Sequence, residues 1–161
     1  MTVTLSPRQL RNPALSEVVE AALRDTGLPA ERLVLEITET AMAADTPGNL
    51  ASLRALRRRG VRVAVDDFGS GYSSLGQLRR LPVDMLKIDR EFLAEARSTQ
   101  ATALLRAVVE LGNGPGLTVV AEGVERQDQL ALVRGVGCGL GQGWLWARPM
   151  SLADVATLLG P

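Results

Sequence analysis

Val61–Leu75 reads VRVAVDDFGSGYSSL, and the order of its residues decides the fold. Val61, Val63 and Val65 alternate with Arg62 and Ala64, the period-two pattern of a strand. Two adjacent carboxylates, Asp66 and Asp67, stand at the strand's tip, and Gly69 and Gly71 let the backbone turn sharply beside them. Neighbouring carboxylates repel, so the pair is costly unless a cation sits there or one acid keeps its proton. The plainer alternative is that the acids merely cap the helix that Ser73 and Ser74 can open.

On either side the same unit recurs. Short apolar runs at Val3–Leu5, Leu33–Ile37, Val61–Val65, Asp84–Ile88, Leu117–Ala121 and Cys138–Leu140 read as strands. Between them come segments with helical spacing. One opens at Asn12-Pro13, carries Leu15, Val18, Val19, Ala22 and Leu23, and closes at Gly27. Others are Asp45 to Gly60, a short helix through Leu75 and Leu78, Ser98–Leu111 and Gln127–Val136. A last helix is capped by Ser151 with Asp154. Gly112–Gly116 (GNGPG) reads as a loop. Arg57, Arg58 and Arg59 crowd a helix's last turn, where solvated charges suiting the helix dipole outweigh a phosphate site. Strand–helix alternation predicts an α/β fold with a parallel sheet. A partial TIM-like (β/α) barrel, with about six of eight strands present, is favoured over an open doubly wound sheet.

Composition narrows the chemistry. Lys+Arg and Asp+Glu balance at 18 each, which argues against polymeric nucleic acid as a partner. One cysteine, Cys138, excludes a disulfide framework, and no apolar run approaches membrane-spanning length; both suit a cytoplasmic location. There is no histidine, which removes His bases, Ser-His-Asp triads and His-ligated zinc. What remains stands at strand ends: Glu36, Asp66, Asp67, Lys87, Asp89, Glu122 and Gln142. In a barrel those ends meet on one face. Hard oxygen donors favour Mg²⁺ or Mn²⁺, and two such ions about 3.5–4 Å apart are the usual arrangement for phosphodiester hydrolysis. Lys87 would orient the attacking water or neutralise developing phosphorane charge; a Schiff base at Lys87 is the weaker alternative.

Five stretches carry a resemblance: Leu35–Thr40 (LEITET), Asp66–Leu75 (DDFGSGYSSL), Leu81–Phe92 (LPVDMLKIDREF), Ala121–Glu125 (AEGVE) and Gly137–Pro149 (GCGLGQGWLWARP). In this order they resemble the signatures of the EAL domain, a family of bacterial phosphodiesterases that hydrolyse cyclic di-GMP to the linear dinucleotide pGpG. The resemblance implies a TIM-like barrel with two Mg²⁺ or Mn²⁺ ions held by Glu36, Asp66, Asp67 and Glu122. It implies that Lys87 holds the attacking water, with Lys87 and Glu122 as the catalytic pair. Asp89, Gln142 and Pro149 would bind substrate, Pro149 as a wall of the guanine pocket. Glu39, Phe68, Gly69, Ser70, Gly71 and Glu125 would belong to, or anchor, a regulatory loop that couples dimerisation to metal binding, so a homodimer is expected.

The chain departs from the family's pattern. Residues 1–161 read as a single EAL-type domain lacking the N-terminal strand that bears the Glu-Ala-Leu motif and its metal-ligating glutamate. Thr4 stands where a metal-ligating asparagine is usual, and Ser70 replaces the usual loop threonine. An N-terminal truncation, strands supplied by another chain and a degenerate remnant all fit these departures. The functional alternative to hydrolysis is a catalytically inactive module that binds cyclic di-GMP or another protein.

Overall fold

A computed structural model of the chain describes residues 1–38, 41, 47–68, 81–95, 98–114 and 116–159. Among the described residues six strands form one sheet: β1 (Thr2–Leu5), β2 (Val34–Thr38), β3 (Arg62–Phe68), β4 (Met85–Ile88), β5 (Thr118–Ala121) and β6 (Leu140–Gly141). Every pair is parallel, and the spatial order equals the chain order, β1-β2-β3-β4-β5-β6. A doubly wound sheet reverses its strand order at a switch point, whereas a singly wound barrel never does. The order therefore assigns the TIM-like arrangement, and the barrel is not closed, because β1 and β6 are the two ends of the sheet.

Helices cover the sheet. Among the described residues they are α1 (Pro7–Leu10), α2 (Leu15–Thr26), α3 (Pro47–Arg58), α4 (Arg90–Glu95), α5 (Thr99–Asn113), α6 (Gln127–Gly135) and α7 (Leu152–Leu159). Burial along β3 is continuous through Val63, Ala64 and Val65, as expected for a parallel strand covered on both faces. One apolar cluster joins Leu5, Leu15, Leu35, Leu53, Leu56 and Val63; a second joins Ile88, Leu93, Leu105, Val109 and Val133. Leu56, Leu86 and Leu105 have no exposed surface, and burying each such side chain is worth about 2–3 kcal/mol.

Three elements differ from the sequence expectation for local reasons. The first helical turn precedes Asn12: Ser6 and Gln9 form a reciprocal capping box that starts α1, and Asn12 instead accepts a hydrogen bond from the Ala14 N–H. A short α4 follows β4 because Asp89 Oδ1 accepts the Glu91 N–H. The GNGPG stretch is partly helical, since α5 runs on to Asn113. Gly112 sits inside that helix because a Cβ there would lie 2.5 Å from Val119 Cγ2; glycine lets α5 lie close against β5. The short helix expected through Leu75 and Leu78 lies outside the described residues.

At the sheet's N-terminal end, α3 is tied to β4. The Arg57 guanidinium donates to both carboxylate oxygens of Asp84, and Asp84 Oδ2 also accepts the Val63 N–H at 2.9 Å. Bidentate charge-assisted pairs are among the stronger polar contacts. Arg57→Ala is expected to cost about 1–2 kcal/mol, read as a lower urea midpoint at unchanged m. An unmoved midpoint would mean that the pair is incidental.

Candidate metal centre and its cavity

Consecutive strand residues point to opposite faces, so Asp66 and Asp67 cannot both reach one rim in regular geometry. The structure resolves this with a register shift between Val65 and Phe68 and a left-handed backbone at Asp67, φ 54°. Aspartate tolerates that conformation better than most residues, and strain of this kind concentrates at functional sites. Glu122 comes directly after β5, its N–H donating to Ile88 O at 3.0 Å. One carboxylate oxygen from each of Asp66, Asp67 and Glu122 lies within 4.8 Å of the other two. Acids separated by more than fifty residues thus meet at the C-terminal ends of β3 and β5, as the sequence predicts.

Lys87, on β4, is buried in the middle of this cluster. Its Nζ lies 2.5 Å from Glu36 Oε1, 2.9 Å from Asp66 Oδ1 and 2.6 Å from Glu122 Oε1. Burial opposes its charge, but hydrogen bonds to Glu122, Glu36 and Asp66 outweigh that and hold the ammonium above the usual lysine range. Burial raises the Glu122 carboxyl, Lys87 pulls it back, and the charge on Asp66 raises it again. Burial, then the neighbouring charges of Asp66 and Asp89, raise Asp67 as well. Glu36 joins the cluster through Lys87, while its Oε2 accepts from the Thr4 hydroxyl at 3.1 Å. Three hard carboxylates converging without histidine or thiolate form a donor set that fits Mg²⁺, Mn²⁺ or Ca²⁺.

A cavity of about 750 Å³ opens beside the acids. Asp67, Asp89, Glu122 and Glu125 give it an acidic lining, and the 142–149 segment supplies a further wall with Gln142, Trp144, Arg148 and Pro149. That wall is held close to β5 by backbone hydrogen bonds: Gln142 N–H donates to Ala121 O at 2.8 Å and Val124 N–H to Gln142 O at 3.0 Å. The Arg148 guanidinium lies 4.9 Å from the centroid of the Trp144 ring. Arg90 enters the cavity because Gly123, φ +66°, leaves it room; a Cβ there would stand 2.4 Å from Arg90 Cβ.

The structure therefore brings Glu36, Asp66, Asp67, Lys87 and Glu122 into one cluster, and Asp89, Glu125, Gln142 and Pro149 to the cavity beside it. Phe68 is different: it is buried at the end of β3, opposite Ile88, as a core residue. Glu39, Gly69, Ser70 and Gly71 lie outside the described residues. Sequence reasoning passed over Arg90, Trp144 and Arg148 as cavity residues. The available signal was two tryptophans within four residues of an arginine in GWLWARP, in a chain that is only 3% aromatic.

Sequence comparison matches the EAL domain family over residues 1–149. The cyclic di-GMP phosphodiesterase RocR of Pseudomonas aeruginosa is 37% identical over 151 residues, covering 93% of this chain and 38% of RocR. Among solved structures, the PaMucR phosphodiesterase in complex with c-di-GMP superposes with a TM-score of 0.89 at 40% identity, covering 96% of this chain and 63% of that one. The manganese and cyclic di-GMP complex of Klebsiella pneumoniae BlrP1 gives a TM-score of 0.85 at 34% identity, covering 92% of this chain and 38% of that one. The chain spans about a fifth of the length of the first curated relatives it matches. Among the described residues no helix is long and apolar enough to cross a membrane.

Proposed function

The chain belongs to the EAL-domain family, and from that membership we propose that it provides the metal-binding rim and nucleotide cavity of a cyclic di-GMP phosphodiesterase. The observation that carries the reading is the convergence of Asp66, Asp67 and Glu122 within 4.8 Å, with Lys87 among them, beside a cavity of about 750 Å³ that Asp67 and Glu122 help to line. Glu36, Asp66, Asp67 and Glu122 are the proposed metal ligands, with Mg²⁺ or Mn²⁺ as the ion. Bound divalent ions supply a nucleophile at neutral pH and Lewis-acid stabilisation of the leaving oxygen.

The protein's own groups do the rest. The Lys87 ammonium is fixed by three acids, so it stays charged and oriented, as a group that steadies phosphoryl charge must. The Glu122 carboxyl, raised by burial, takes up a proton more readily than a free glutamate, which suits exchange with the reacting water or leaving oxygen. Asp89, Gln142 and Pro149 contact the nucleotide. Glu39 and the loop residues Gly69, Ser70 and Gly71, together with Glu125, belong to the loop-linked control of a homodimer; Phe68, seated in the core at the end of β3, is set apart from that loop. Residues 1–161 act as one domain of the longer family pattern.

One observation favours a second reading, a catalytically silent nucleotide-binding module. Both oxygens of Glu36 are engaged, one by Lys87 and one by Thr4, which leaves fewer lone pairs for an ion. Incubation with cyclic di-GMP and Mn²⁺ separates the two readings. Accumulation of linear pGpG establishes hydrolysis. Saturable cyclic di-GMP binding without product establishes the silent module, and a folded chain giving neither result rejects both.

A further inference from the structure

The arginines of α3 have a use that the acidic rim does not absorb. Arg54, Arg57, Arg58 and Arg62 line a cavity of about 390 Å³ at the opposite, N-terminal end of β3, with Asp84 as the acid in its wall. Arg62 and Asp66 are four residues apart on β3, so the two sites are separated by about 13 Å along the strand. Asp84 is already committed to the Arg57 guanidinium and the Val63 N–H. Arg59 is turned away from this set and pairs with Glu20 at 2.6 Å. Arg54, Arg58 and Arg62 have no ion pair among the described residues.

Helix-end electrostatics bear on Arg58 alone of the three unpaired arginines, since Arg54 lies a turn earlier and Arg62 stands on β3. Two of the last carbonyls of α3 are already satisfied by backbone, Gly60 N–H donating to Arg57 O at 2.9 Å and Val61 N–H to Leu56 O at 3.2 Å, with Gly60 in the left-handed region at φ +97°. Arg54 and Arg58 stand at i and i+4, a like-charge pair that costs stability unless an anion lies between them. Planar guanidinium forks favour phosphate oxygens over a diffuse negative surface. A small concave cavity suits a compact anion better than an extended acidic peptide, which would need a groove.

We propose that this arginine cavity binds a compact polyphosphate, the pyrophosphate unit of a free anion or of a nucleoside di- or triphosphate. The site is independent of the divalent-metal rim.

Calorimetric titration of the 161-residue chain with sodium pyrophosphate, in EDTA at fixed ionic strength, tests it. One saturable site is expected, weakened about tenfold or more in Arg54→Gln/Arg58→Gln and unchanged in Asp66→Asn. If the double variant melts without cooperativity, Arg62→Gln is read in its place. GTP binding as tightly as pyrophosphate assigns the nucleotide form, and pyrophosphate binding alone assigns the free anion. Absence of saturation, equal heats from sodium sulfate, tighter binding of hexaglutamate, or full affinity in the arginine variants overturns the proposal.

Discussion

Lys87→Met is expected to lower the unfolding free energy by about 3–5 kcal/mol at neutral pH, because it strips the cation from buried carboxylates. For a chain of this length that corresponds to a fall of about 10 °C or more in Tm. Glu36, Asp66 and Glu122 all contact Lys87 Nζ, and their side chains are only 9%, 14% and 18% exposed. Water therefore cannot replace the lost charge cheaply. The linear Met stem keeps most of the packing, so the loss reports charge rather than a cavity.

Two features separate this from ordinary core damage. Mn²⁺ should raise the Tm of Lys87→Met by more than it raises that of the parent, since the acids gain a cation they lack. The deficit should also shrink as pH falls. Glu122 is an acid already raised in the folded chain by burial and by Asp66. Such a group binds protons more readily folded than unfolded, so stability rises as pH drops through its folded value toward the ordinary glutamate value. The parent behaves oppositely at the alkaline end: the raised Lys87 contributes fully below the ordinary lysine value of about 10.4, and its contribution disappears as pH climbs through the folded value. A variant melting like the parent at neutral pH, with an equal Mn²⁺ response, would sink the idea that Lys87 organises the rim.

The rim's composition was readable before any coordinates, because strand period, glycine turns and polar strand tips are properties of local sequence. Its assembly was readable only through the parallel alternation that sends every strand's C-terminal end to one face. What the sequence concealed was how two neighbouring acids share a rim. Alternation alone would have sent Asp67 to the other face; the bulge and the left-handed φ of 54° reverse it, and no composition rule announces a bulge at Asp67. The triple engagement of Lys87 was equally hidden, since it needs tertiary distances from β2, β3 and β5 at once. The extension of α5 into GNGPG was missed for a related reason: Gly112 serves a helix–strand approach and not a turn.

The same distinction between glycines yields the second large effect, at the wall of the cavity. Gly143→Ala is expected to cost about 2–4 kcal/mol and to remove nucleotide affinity while sparing the acids. A Cβ on Gly143 would lie 2.2 Å from Val124 O, 2.4 Å from Val124 N and 2.7 Å from Val124 C. All three are backbone atoms of a residue with no exposed surface, so no side chain can swing aside. Val124 is also held on both sides, its N–H by Gln142 O and its carbonyl by the Leu145 N–H, each at 3.0 Å. The strain is relieved only if the 142–149 segment lifts from β5. That would carry Gln142, Trp144, Arg148 and Pro149 away from Glu122, while Asp66, Asp67 and Lys87 stay on β3 and β4. Mn²⁺ should then still raise the Tm, whereas cyclic di-GMP should no longer do so. Gly139→Ala is the matched control, since a Cβ there meets nothing within 4 Å, and its stability should change by no more than about 0.5 kcal/mol. If Gly143→Ala and Gly139→Ala unfold at the same temperature, or if the former keeps full nucleotide affinity, the contact with Val124 does not hold the cavity wall.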